Sequence, residues 1–529
     1  MLRRPRVLLL PLLAVLAFWL AAPANAKTVP GTPPFRVVIL DHMAGWQLRD
    51  FARHGAVGLL VPGTGPTTNR RQALAQLVRG VRADSYLGGV PDGPPLLSAS
   101  AATGTPSHAR TIVVTLPPKG EPISNDKRYY VAVLGGGFHG LLVSKTTKIP
   151  GLVSVVDIAP TALGHLRGSL ASTPSKHAIG TLRLLNAQIH ANNRLKLAAL
   201  IVLGCWALFF AFFIPRAALT IVPAALVTNV LLEVGHATNE VVIMTGVVLG
   251  STVGGLVLAR LCRSDWALLG LFLFVLLGYG WLLARHPEWV AITPFGPTQN
   301  SRFWGIGNQL ETLLLAPIVA GAVIAGRRFG VLGFGLFGAL GLVLMTDNRL
   351  GSDGGGAIVL GVALAFLGAR TFKLGPRGFA LLLGAAAVVV LKVVSSNLDS
   401  AGPNHLRSAF DSGLSGVWAV ARNRVPLSYL PALHNWTVVL PLALWFAATF
   451  ALAVYVARRR PTRDLVLTIG LATLTSLVVN DSAMYVVTGG VGVLGSIVRF
   501  APAPAVPFGL RSLVRVRMRE PVPVPGEAE

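Results

Sequence analysis

The sequence predicts an α-helical polytopic membrane protein of about eleven spans carrying an N-terminal extracytoplasmic α/β domain. Three observations lead there. Hydrophobic residues make up 53% of the 529 and charged residues only 13%, with a mean hydropathy of +0.64, well outside the range of soluble globular chains. From Leu195 onward, apolar runs recur at close to the roughly twenty residues that a bilayer requires. Residues 27–194 hold no such run and instead alternate short β-rich segments with helical ones.

A net charge of +25 would in a soluble chain point to nucleic acid or acidic partners. Here the bases sit mostly in short loops between apolar runs and in the tail, so membrane topology accounts for them and no nucleic-acid partner is expected. The two cysteines, Cys205 and Cys262, lie in or at the end of apolar runs. That pattern excludes a disulfide scaffold and a cysteine metal site.

The chain opens with the pattern of a secretory signal over residues 1–26. Arg3, Arg4 and Arg6 precede an apolar stretch over 7–21, and Ala24-Asn25-Ala26 gives a small-x-small cleavage site. An uncleaved anchor is the alternative and leaves the next segment on the same side. In the domain over 27–194, strands are expected at 36–40, 57–61, 111–116 and 129–134, and helices at 69–78 and 161–166. This alternation favours an α/β sandwich. Gly135-Gly136-Gly137 reads as a turn, because no helix of dinucleotide-binding spacing follows it.

Residues 37–46 (VVILDHMAGW), 52–60 (ARHGAVGLL) and 150–166 (PGLVSVVDIAPTALGHL) resemble the alkaline-phosphatase superfamily. The resemblance implies that fold, with Asp41 in the place of a metal-binding aspartate and Asp157-Ile158-Ala159-Pro160-Thr161 opening a late helix. The sequence departs from the family's chemistry. Only Thr64, Thr67 or Thr68 stands where a nucleophile would, no Asp-x-x-x-His or Asp-His pair follows, and His139 is alone, too few groups for a two-metal site. The domain is therefore expected to be catalytically inactive and to bind, gate or scaffold, with envelope proteins as partners.

The expected spans are 195–214, 217–235, 240–260, 266–285, 308–326, 329–346, 355–370, 378–396, 437–457, 464–480 and 484–499. With the first domain outside, the inner loops carry Arg216; Arg260 and Arg263; Arg327 and Arg328; Arg370, Lys373 and Arg377; and Arg458, Arg459, Arg460 and Arg463. Every inner loop is basic, as the positive-inside rule requires. The segment 500–529, basic and then Pro-rich, falls in the cytoplasm.

The polar stretches then gather on the outer face. They are Glu233, His236, Asn239 and Glu240; the run NSRFWGIGNQLE over 300–311; Asp347, Asn348, Arg349 and Asp353; a loop over 396–436 with His405, Arg407, Arg422, Arg424 and His434; and Asn480, Asp481 and Ser482. Asn308 and Glu311 are three apart and share a helix face. Ionisable groups beside hydrocarbon are costly, which makes them functional candidates. Structural readings stand beside this one: Gly305 and Gly307 allow close packing, Arg302 snorkels, and Asp353 caps a helix.

Glu233-x-x-His236 has the spacing of some di-metal helical sites, but no second pair accompanies it. Asp347 and Asp353 with Glu311 suit a divalent cation equally as they suit caps, so no resident cofactor is assigned and a divalent cation stays open. Arginines at a wet membrane surface suit phosphate or pyrophosphate. Arg302, with Gly305, Gly307 and Asn308 after it, Arg349, and His434-Asn435 ahead of the ninth span resemble the O-antigen ligases and related glycan polymerases. That resemblance implies a glycan transferase in which Arg302 and Arg349 hold the pyrophosphate of a lipid-linked glycan and His434 is the general base. Asn308, Glu311, Asp347, Asp353, Asn480 and Asp481 then surround the substrate. Arg349 lacks the family's Ser-Arg-Gly context, and the SDGGG run is foreign to it. The whole layout also resembles a group of bacterial membrane proteins, without assigned activity, that join a signal peptide and a degenerate phosphatase-like ectodomain to a bundle bearing R-F-[YW]-G-I-G-N, G-[AS]-D-x-G-G and N-D-S stretches.

The expectation is a multi-pass cell-membrane protein of the envelope with an outward polar site for a membrane lipid or lipid-linked glycan. Two other classes stay open. A transporter or flippase of an anionic precursor requires polar residues deep in the spans, of which Asn229 is the clearest. A non-catalytic assembly factor requires only the ectodomain as a docking surface.

Overall fold

The computed structural model describes residues 35–63, 67–82, 95–97, 110–124, 127–164, 169–298, 302–347, 349–351, 353–398, 434–480 and 482–500, with Ser415, Trp418, Arg422, Asn423 and Tyr429. The expected signal segment, the tail beyond Phe500, and Thr64, His405, Arg407, Arg424 and Asp481 lie outside the described residues.

The N-terminal part runs β1 (Arg36–Leu40), α1 (Gly45–His54), β2 (Gly55–Val61), β3 (Thr67–Thr68), α2 (Arg70–Arg79), β4 (Thr111–Thr115), β5 (Ile123–Ser124), β6 (Tyr129–Leu134), β7 (Gly140–Val143), β8 (Leu152–Ser154), α3 (Ile158–Leu163) and β9 (Ala171–Thr173). Seven strands form one mixed sheet in the order β1-β4-β6-β2-β7-β9, with β8 also paired to β2. β1 and β4 are parallel while β6 runs antiparallel to both β4 and β2. Alternation along the central strands sorts their side chains between two layers. Val57, Leu59, Val113, Ala132 and Leu134 face one apolar cluster, and Ala56, Leu60, Ile112, Val114, Val131 and Val133 face the other.

The second cluster is covered by α2 and α3 through Ala73, Leu77, Ile158 and Ala162. Helix α2 starts one residue later than the 69–78 reading because Asn69 is its cap. Its Oδ1 accepts from the Gln72 amide at 2.8 Å and Gln72 Oε1 accepts from the Asn69 amide at 3.2 Å, a reciprocal capping box. Helix α3 opens at Ile158 rather than at 161, since Pro160 is tolerated in a first turn, and it ends at Gly164 with φ 71°. The 135–137 glycines all have positive φ and form the turn that the sequence suggested.

The remainder is helical: α4 (Ala178–Phe213), α5 (Pro215–Val234), α6 (Glu240–Leu261), α7 (Asp265–Arg285), α8 (Pro287–Ala291), α9 (Asn308–Thr346), α10 (Gly354–Thr371), α11 (Pro376–Leu398), α12 (Trp436–Val456), α13 (Arg460–Val479) and α14 (Ala483–Ile497). Among the described residues, 8 helices are long and apolar enough to cross a membrane, namely α4 to α7, α9, α10, α12 and α13; Pro376–Val388 and α14 are shorter apolar helices. The chain is a mostly helical membrane protein with an N-terminal α/β region.

Two expected spans, 308–326 and 329–346, lie within α9, which breaks at Gly330 (φ 67°, ψ −154°). Only glycine adopts that conformation without strain. The halves fold back on each other, with Gly321 against the Phe337 ring and Gly341 against Ile318. Residues 309–326 are buried on every side, so this half-helix is the centre of the bundle.

Helix α4 runs 36 residues without interruption, so the expected division at 194 falls inside one helix. Its Ala178, Leu182, Leu185 and Ile189 pack under the sheet, joined there by Ala291, Ile292 and Phe303. Its Leu203, Ala207 and Phe210 lie in the bundle core. The sheet domain and the adjoining end of the bundle therefore share one apolar cluster.

Candidate functional site

The described residues between α8 and α9 are not helical, yet Thr293, Phe295, Phe303 and Ile306 among them are all buried. Irregular backbone among membrane helices must have its polar groups satisfied by protein. Asn192 and Lys196, four apart along one face of α4, help to do so. Asn192 Nδ2 donates to the Ile292 carbonyl at 3.2 Å, and Lys196 Nζ donates to the carbonyls of Thr293 and Gly296 at 3.0 and 2.8 Å. Asn229 Nδ2 donates to Thr293 Oγ1 at 2.8 Å, while its Oδ1 accepts from the Phe295 amide at 3.4 Å. The mid-span amide thus holds a loop in place. Gln188 donates to Glu233 Oε1 at 3.0 Å. Glu233 is buried and His236 is exposed in the turn after α5, so this i, i+3 pair does not converge.

That anchored loop presents Arg302 to the segment between α9 and α10. Gly305 has φ 86° and sits against the Gly351 carbonyl, to which the Ile306 amide donates at 2.9 Å; the Asp353 amide donates to the Met345 carbonyl at 2.8 Å. Arg302 Nη1 bonds the Ile306 carbonyl and lies 3.4 Å from Asp353 Oδ2. Asp353 caps α10, its Oδ1 accepting from the Gly356 amide at 3.2 Å.

Glu311, in the first turn of α9, is fully buried. Its Oε2 accepts from Asn480 Nδ2 at 2.8 Å and its Oε1 from Ser476 Oγ at 3.3 Å. Asn480 Nδ2 also donates to Ser476 Oγ, at 2.6 Å. The glycine run that opens α10 makes room for this: a Cβ on Gly356 would lie 3.0 Å from Asp353 Oδ2 and 3.1 Å from Glu311 Cγ, and one on Gly355 would overlap Asn480 Oδ1. Arg302, Glu311, Asp353 and Asn480 are brought together from four separate stretches.

The other expected residues make none of these contacts among the described residues. Asn308 is half-buried at the start of α9. Asp347 Oδ1 accepts from the Arg349 amide at 2.7 Å, and the Arg349 side chain is exposed. His434 is exposed just ahead of α12. Among the described residues, no three His, Cys, Asp or Glu side chains gather as a metal-binding group.

The sheet domain closes over the same stretch. Trp304 Nε1 donates to the Thr146 carbonyl at 3.1 Å, Lys148 Nζ stands 3.1 Å from the Trp304 ring centroid, and the Arg82 guanidinium lies 5.0 Å over the Phe303 ring. Burial lowers the Lys148 amine to about 7, with Asp347 opposing and Arg349 reinforcing the shift. Burial also lowers Arg82, opposed by Asp157 and reinforced by Arg302.

Asp157 supports this closure from beneath. Its oxygens accept from Thr146 Oγ1 at 2.6 Å, Ser144 Oγ at 2.7 Å and the Ser154 amide at 2.9 Å. Burial raises its carboxyl, and those hydrogen bonds oppose the rise. Asp41, the other residue of the phosphatase resemblance, pairs with Arg70 at 2.5 Å. His139 is exposed, its Nδ1 2.9 Å from the Gly137 carbonyl.

Sequence reasoning passed over Lys196, Gln188, Ser476, Arg82, Lys148 and Trp304. For α4 a signal existed, since Gln188, Asn192 and Lys196 recur at the helical spacing of four. No protein-family model, curated protein or solved structure matches the chain.

Proposed function

We propose that this membrane protein handles an anionic, lipid-linked substrate at its outer face, in the seam between the sheet domain and the bundle. One observation carries the reading. Cations from both parts meet there beside carboxylates: Arg82 is within electrostatic reach of Asp157 and Arg302, and Lys148 of Asp347 and Arg349. Like charges held together in a partly desolvated seam repel, and a phosphate or pyrophosphate relieves that repulsion while matching the guanidinium forks. In this reading Arg302 and Arg349 hold the phosphates, His434 serves as general base for glycan transfer, and Asn308, Asp347, Asn480 and Asp481 border the substrate. The sheet domain, an inactive relative of the phosphatases, shapes the seam and offers a docking surface to envelope proteins. The orientation that goes with it has about eleven spans, a cleaved signal segment, the sheet domain outside and the basic tail in the cytoplasm.

A second reading, transport of an anionic precursor, draws support from the burial of Glu311 and Asp353 within the helices, since buried ionisable groups mark many transport pathways.

The test is complementation of a deletion strain. Arg302→Lys, Arg349→Lys and His434→Ala should each abolish the cellular phenotype at unchanged protein level and thermal stability. Lysine keeps the charge and loses the bidentate fork. Full complementation by all three variants would leave an assembly role in place of glycan transfer.

A further inference from the structure

Glu311 and Asp353 present a charge problem that the seam above them does not resolve. Both carboxylates are buried, at 0% and 3% exposure, and both press on the same point, the missing Cβ of Gly356. The charges acting on Glu311 among the described residues are Asp353 and Arg302. Ionised together, two carboxylates against one guanidinium would leave a negative charge in a place where burying an uncompensated ion is costly.

The oxygens are unequally satisfied. Both Glu311 oxygens take hydrogen bonds, but only from the neutral groups of Ser476 and Asn480. Asp353 Oδ1 is used by the cap, and Asp353 Oδ2 has no hydrogen-bond partner among the described residues. Arg302 at 3.4 Å from that oxygen is beyond the roughly 2.7–2.9 Å of a charge-assisted bond. A buried carboxylate oxygen that takes no hydrogen bond from the described residues therefore lies 3.0 Å from where a side chain on Gly356 would begin, with Glu311 Cγ 3.1 Å from the same point and Asn480 Oδ1 beside the neighbouring Gly355.

From this geometry we infer a binding site for a small hard cation, of the class of Na⁺, Mg²⁺ or Ca²⁺, between Glu311 and Asp353. The donors available are all oxygen: the two carboxylates, Asn480 Oδ1 beside Gly355, and Ser476 Oγ. That set suits hard cations and is poor for zinc or copper. The site ties α9, α10 and α13 together at their outer ends, beneath the loop that carries Arg302. The inference is independent of which substrate occupies the seam.

The full chain, purified in detergent and stripped with chelator, is melted in NaCl, MgCl₂ and CaCl₂ against choline chloride at matched ionic strength. One of the metal salts should raise the melting temperature in a saturable way. Glu311→Gln and Asp353→Asn should each abolish that increment, whereas Glu240→Gln, at an exposed outer ion pair with Arg194, should keep it. Elemental analysis of wild-type protein equilibrated with that metal should find about one tightly held ion per chain, as a single closed site demands. If Glu311→Gln or Asp353→Asn does not fold, Asn480→Ala takes its place and should weaken the response severalfold. No metal-specific increment in wild-type protein overturns the site, as does an increment that survives in both carboxylate variants. A protonated-carboxyl infrared band in wild-type protein, lost in Asp353→Asn and insensitive to every metal, would assign the compensating charge to a proton and overturn it as well.

Discussion

Trp304 Nε1 donates to the carbonyl of Thr146 at 3.1 Å, across a sequence separation of 158 residues. This bond joins the loop ahead of α9 to the sheet domain, and the same indole faces Lys148. The sheet domain is thus held on the polar stretch ahead of α9 by a directional contact as well as by the shared apolar cluster.

Trp304 is accordingly expected to control docking. Trp304→Phe keeps a ring for Lys148 and loses the N–H donor, which should cost about 1 kcal/mol. Trp304→Ala also loses the cation–π contact and the packing, for a total of about 2–3 kcal/mol. Thermal unfolding in detergent should rank wild type, Phe and Ala in that order, with protease sensitivity of the sheet domain rising in parallel. Equal melting of all three would remove Trp304 from the docking contact.

Lys148 should make this docking depend on pH. Its folded amine is lowered to about 7 from 10.5. Between those values the unfolded chain binds a proton that the folded chain does not, so stability rises with pH across that window. Below about 7 both states carry the proton and the contribution is at its minimum. The indole face favours the ammonium and reduces the effect without reversing it. Melting curves from about pH 6 to about pH 9 should show the rise in wild type, and Lys148→Met should flatten it. An unchanged slope in Lys148→Met would assign the pH dependence elsewhere.

The three glycines that open α10 should respond differently to alanine. Gly354 has nothing within 4 Å of its missing Cβ, so Gly354→Ala should lie within about 0.5 kcal/mol of wild type. Gly355→Ala meets Asn480, and Gly356→Ala meets Asp353 and Glu311; each should cost about 1–3 kcal/mol through overpacking. Equilibrium unfolding of the three variants checks the ranking, and a destabilised Gly354→Ala would contradict it.

The sheet was legible where short β-rich runs marked it. β1 and β6 fall on 36–40 and 129–134 as read, each rich in β-branched and aromatic or aliphatic residues. The apolar runs were legible by length alone. The break at Gly330 was not, since a glycine between two apolar runs suits a short loop as well as a sharp reversal. At the site, Glu311, Asp353, Asn480 and Arg302 could each be singled out as polar groups beside hydrocarbon, but their meeting depends on how α9, α10 and α13 pack. Lys196 escaped because a lysine at the edge of a span resembles a topology signal, and only the structure shows its ammonium turned inward onto two carbonyls. Trp304 was hidden for a similar reason: a tryptophan at a membrane boundary suits an interfacial anchor.

Helix α4 has a mechanical consequence. Its 36 residues make a rod of about 54 Å, with the sheet fixed to one end and the bundle core to the other. No flexible joint interrupts it, so the sheet domain cannot swing without applying a torque to the first span. Pivoted at mid-length, a tilt of about 10° would carry the far end through roughly 5 Å. Force applied to the sheet would therefore be felt at the far end of the bundle through a single stiff lever.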